Sequence, residues 1–157
     1  MRRRLVIALV TALMVFVMAP GALARPTTYT AHLTGASEVP AVDTDAVGQA
    51  VLRLSRDGTE LHYRLIVANI DDVTQAHIHV GAEDDNGPVV AFLFGLVDEG
   101  VTTNGVLATG TITSDDLVGP LAEMSLAELV AEFDSGGAYV NVHTVDHPGG
   151  EIRGQIR

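Results

Sequence analysis

Short stretches in which apolar residues return at every second position, separated by turn signals, restrict this chain to an all-β architecture. Leu61, Tyr63, Leu65 and Val67 follow one another with period two, the repeat of a strand whose successive side chains point to opposite faces. Residues 28–33 alternate likewise. Residues 47–54 run into Ser55-Arg56-Asp57-Gly58, where the Asp-Gly pair predicts a tight hairpin turn. Further strands are expected over 75–80, 89–94, 106–113, 138–145 and 151–156. The run from Val89 to Phe94 is apolar without alternation and reads as a strand buried on both faces. One helix is expected. Ser125 and Glu128 form a capping-box pair, Leu126, Leu129, Val130 and Phe133 follow at helical spacing, and Gly136-Gly137 stops the run. Seven or eight short strands with a single inserted helix predict a Greek-key, immunoglobulin-like sandwich or barrel.

The N-terminus reads as a leader. Arg2, Arg3 and Arg4 precede an apolar stretch over 5–19, and Ala22-Leu23-Ala24 has the small-residue pattern of a cleavage site. The expected organisation is a signal peptide over 1–24 and one domain over 25–157, exported to the medium or the cell envelope, with no membrane span after cleavage. Without the three leader arginines, six basic residues face twenty acidic ones, a net charge of −14 that argues against nucleic acid as a partner. The chain has neither cysteine nor lysine. Thiol catalysis, thiolate metal sites and Schiff-base chemistry are thereby excluded, and any site must use His, Asp, Glu, Ser, Thr or Tyr.

The histidines stand out. His77 and His79 lie one residue apart, so on a strand they share a face, with backbones about 6 to 7 Å apart, within the span of one metal ion. In the later strand, alternation separates apolar Val140 and Val142 from a wet set of Tyr139, Asn141 and His143. His77, His79 and His143 are therefore expected to form a solvent-accessible transition-metal site on the surface, for copper in preference to zinc. His147, just before Pro148-Gly149, is a candidate fourth ligand. His32 and His62 are expected on the surface. Glu151, Arg153 and Gln155 should project a charged row, with Arg153 paired to Glu38 or Glu151 and Gly154 allowing close strand approach. The acidic run Glu83-Asp84-Asp85 reads as a solvated loop. No nucleophile elbow or phosphate-cradling loop is present, which leans against an enzyme.

Three stretches carry a family resemblance: 33–40 (Leu33 to Pro40), Ala76-His77-Ile78-His79 with Asn86-Gly87-Pro88-Val89-Val90, and Tyr139 to Thr144 continuing through Pro148 to Ile156. Together they resemble the CHRD domain, a module named for chordin, an extracellular antagonist of bone morphogenetic proteins, and also found as a free-standing secreted domain in many microbes. The resemblance implies an all-β sandwich serving as a binding module. More distantly, the order His77, His79, His143 is similar to the copper half of Cu,Zn superoxide dismutase, although the chain lacks that enzyme's cysteine pair and histidine-rich loop. Two alternatives accompany the metal-binding module: a metal-free domain contacting an extracellular protein or glycan, and a metal-dependent redox enzyme.

Overall fold

The computed structural model describes residues 28–157, so the leader expected over 1–24 lies outside the described residues. Eight strands follow in order: β1 (Thr28–Thr34), β2 (Val47–Leu54), β3 (Leu61–Ala68), β4 (Val73–Val80), β5 (Val89–Gly95), β6 (Gly105–Ile112), β7 (Ala138–Thr144) and β8 (Ile152–Gln155). They form one antiparallel sheet in the order β5-β4-β7-β8-β1-β2-β3-β6. The chain makes β4, β5 and β6 in succession and then returns to lay β7 beside β4, a Greek-key connection.

The two edges of the sheet face each other and nearly close a barrel. Tyr63 of β3 donates its hydroxyl to the Leu93 carbonyl of β5 at 2.8 Å. Its ring fits because Gly110 of β6 has no side chain; a Cβ there would stand 2.6 Å from the tyrosine oxygen. Beyond β6, Val118 N–H adds a bond to the Val90 carbonyl at 2.9 Å. Closure of this kind shields edge backbone groups that would otherwise template unwanted pairing.

Each local signal has a structural counterpart. At the β2–β3 turn, Gly58 takes φ 76°, and Asp57 accepts hydrogen bonds from the Ser55 hydroxyl and from the hydroxyl and amide of Thr59. Those donors hold its pKa down at about 2. Helix α1 (Leu126–Ser135) is capped by Ser125 and Glu128 and ends at Gly136 in the left-handed conformation. Its buried Leu126, Leu129, Val130 and Phe133 pack on the barrel, where the Phe133 ring meets Tyr29 edge-on at 5.1 Å.

The reading of β5 as a strand buried on both faces is corrected. Phe92 is 54% exposed. Opposite β4, Ala76 pairs with Phe94 and His77 with Phe92, then Ile78 with Ala91 and His79 with Val89. Leu93 and Val90 are thus extra residues in two bulges. Each bulge breaks the period of two, so an unbroken apolar run has one covered and one open face.

Alternation sorts the side chains of β4, β7 and β8. Ala76, Ile78, Val140, Val142 and Ile152 are fully buried inside the barrel. His77, His79, Tyr139, Asn141, His143 and Arg153 therefore lie on its outer face. Three loops cover that face, over 35–46, 81–88 and 145–151. Gly154 passes the β1 backbone so closely that a Cβ would strike the His32 carbonyl.

Candidate metal centre

The outer face of β4 and β7 brings three imidazoles together. One ligand nitrogen from each of His77, His79 and His143 lies within 4.8 Å of the other two. Sequence alternation puts His77 and His79 side by side on β4. The register that pairs Gln75 with His143 and His77 with Asn141 brings His143 alongside from β7. Ring centroids are 4.9 Å apart for His77 and His143 and 5.5 Å for His77 and His79.

Backbone carbonyls decide which nitrogens face inward. Nδ1 of His79 stands 2.9 Å from the Gly87 carbonyl, and Nδ1 of His143 stands 2.9 Å from the Pro148 carbonyl. A carbonyl only accepts, so both Nδ1 atoms carry the proton and both Nε2 atoms keep a lone pair. Orientation of the metal-free ring edge by a second hydrogen bond is how ligating histidines are held. Nε2 of His143 is 3.0 Å from Oδ1 of Asn141; for Nε2 to keep its lone pair, the Asn141 amide has to turn its NH2 end to that position. Nδ1 of His77 is 3.2 Å from Nε2 of His143. Two nitrogens sharing a tetrahedral ion at about 2.0–2.1 Å each would stand about 3.3 Å apart, so the spacing fits a common ion.

Two ring nitrogens, Nε2 of His77 and Nε2 of His79, are buried without a hydrogen-bond partner among the described residues. An unsatisfied buried polar atom costs about 1–3 kcal/mol, so the cluster is under-satisfied as it stands. Burial also sets its charge. Desolvation, reinforced by the neighbouring histidines, pushes the His77 pKa down to about 4. Desolvation likewise lowers His79 and His143, against the carbonyl hydrogen bonds that favour their charged forms. All three rings are therefore neutral at pH 7, the form that binds metals.

The cluster is not on the surface. His77, His79 and His143 are 4%, 8% and 6% exposed, and every residue of β7 is buried. The wet set shares one face as alternation requires, but the covering loops take that face away from solvent. Phe92 closes the outer side, its ring 5.0 Å from that of His77 at 88°.

Arg153 holds the cover in place. Buried to 1% exposure, it donates to the carbonyls of Ala82 and Asp85 and to the side chain of Asn86. Asn86 in turn donates to the Val39 carbonyl, tying loop 81–88 to loop 35–46. The guanidinium carbon sits 3.4 Å above the Tyr139 ring, and His79 stacks on Tyr139 at 4.8 Å and 8°. Since β7 lies between β4 and β8, the ring is held between the imidazole and the guanidinium.

The charged row expected at the chain end is thus buried, and an Arg153–Glu151 ion pair gives way to other partners. Glu151 accepts from the hydroxyls of Thr44 and Thr144, both at 2.8 Å. Glu38 feels the charge of Arg153, but burial dominates and raises its pKa, and its Oε1 has no partner among the described residues. His147 is outside the three-histidine group. Its backbone shapes the β7–β8 turn, and its side chain lines an acidic hollow with Asp45, Asp71, Asp72 and Asp146. His32 and His62 are exposed as expected. The sequence reading missed Phe92 because the bulges conceal its face. It also missed the Gly87 and Pro148 carbonyls, for which no side-chain pattern gives a signal.

Fold and cluster together define an antiparallel Greek-key barrel carrying three buried imidazoles on its outer face. The chain belongs to the CHRD domain family, whose match spans residues 29–156. It is also similar to Chordin of Danio rerio, 33% identical over 128 residues that make up 79% of this chain and 12% of that protein. The chain thus spans a small part of that relative. Among the described residues no helix is long and apolar enough to cross a membrane.

Proposed function

We propose that this CHRD domain is an exported binding module that holds one transition-metal ion on His77, His79 and His143, copper in preference to zinc. The observation that carries the reading is the set of converging, neutral imidazoles: two are oriented by backbone carbonyls, and the inward Nε2 of His79 is buried without a hydrogen-bond partner among the described residues. Such an ion would join β4 to β7 and, through Gly87 and Pro148, stiffen two of the covering loops. Loops fixed on a rigid scaffold suit recognition of an extracellular protein or glycan. Burial of all three rings withholds them from a substrate and favours binding over redox turnover. Calorimetric titration of the untagged apo protein tests the reading: one equivalent of copper or zinc binds, and replacing all three histidines by alanine abolishes binding. Absence of binding in the unaltered protein refutes it.

A second reading, a metal-free interaction domain, is favoured by the Arg153 clamp, which ties the covering loops to the barrel without any ion. A partner that binds equally well after chelation and to the triple alanine variant would establish it. Export rests on the leader-like N-terminus, and cell fractionation tests it.

A further inference from the structure

Building on the three-imidazole site, we propose that its ion is Cu(I), held in preference to Cu(II) and Zn(II). The first argument is the number and charge of the donors. The group offers three neutral nitrogens, and among the described residues no carboxylate joins it. Glu38, a buried acid on the covering loop, packs against Gly150 instead. Zinc completes four positions, and Cu(II) favours a tetragonal set; each would have to draw the missing donors from water or an anion. Monovalent copper, with a filled d shell, is saturated by two or three ligands.

Burial separates the ions further. The cost of moving an ion out of water scales with the square of its charge, so a divalent ion pays about four times what a monovalent one does. No anionic ligand offsets that cost here. The nearby fixed charge has the wrong sign for a dication: Arg153 lies against the Tyr139 ring that stacks on His79. The outer side is plugged by an apolar ring. Phe92 stands edge-to-face with His77 while its own outer side meets solvent, and this keeps water from a fourth position.

The test is an anaerobic titration of the apo protein with Cu(I) against the chromophoric chelator bathocuproine disulfonate, with parallel calorimetric titrations of Cu(II) and Zn(II). One equivalent of Cu(I) should bind about 100-fold or more tighter than Cu(II), which raises the potential of the bound couple by about 120 mV over the free ions at 59 mV per tenfold. Equal or tighter binding of Cu(II) or Zn(II) at one equivalent overturns the choice of ion while leaving the three-imidazole site standing. No binding of any of the three ions overturns both. Phe92→Ala, a change at an exposed side chain, should narrow the Cu(I) preference by about tenfold by admitting water. An unchanged preference in that variant refutes the role of water exclusion. Retention of Cu(I) by the triple alanine variant refutes the assignment to these residues.

Discussion

Acidification of the apo protein probes the buried cluster directly. The native pKa of His77 is about 4, against an ordinary value of 6.5 in the unfolded chain. Between those values the unfolded chain carries a proton that the folded protein excludes, so stability increases with pH across the window. The contribution is fully present above 6.5 and is lost progressively as pH falls toward 4. At about 1.4 kcal/mol per pH unit the ceiling for His77 is about 3 kcal/mol. Partial opening of the covering loops reduces it, while His79 and His143, lowered by the same desolvation, act in the same direction. Urea unfolding at intervals between pH 7 and about pH 5, where carboxylates are still ionised, measures the slope. His77→Gln removes the titrating ring and should flatten it, whatever that substitution does to absolute stability. Equal slopes for the two proteins would refute the claim that His77 is held neutral by burial.

Other expected outcomes concern the scaffold. Arg153→Met should lower stability by about 3 kcal/mol by leaving loop carbonyls unpaired, and limited proteolysis should then cut within 81–88. Gly154→Ala should cost about 1–3 kcal/mol in urea unfolding, because its Cβ meets the rigid His32 backbone. Ser125→Ala should cost about 1 kcal/mol in the same assay through loss of the α1 cap.

The features legible in the sequence were those with a local cause. Asp57-Gly58 specifies its own turn, Ser125 and Glu128 cap the helix that follows them, and the spacing of His77 and His79 fixes a shared face whatever surrounds it. Register then depends on pairing partners distant in the chain, yet the match of β4 to β7 brings His143 to the expected place. The errors arose where one face depends on something distant. Alternation grouped Tyr139, Asn141 and His143 correctly, but it could not show that Arg153 folds loop 81–88 over them. The same loop carbonyls consume the arginine donors that a sequence reading assigns to Glu38 or Glu151. In β5 two inserted residues remove the period itself, so the sequence reads Phe92 as core although it stands at the solvent boundary of the cluster.

Elemental analysis of the protein isolated without a histidine tag from its native compartment bears most directly on the proposal of a shared ion. Copper close to stoichiometric with the protein, and none in the variant lacking His77, His79 and His143, is the predicted result. Metal-free wild-type protein, or equal metal in both preparations, would contradict it.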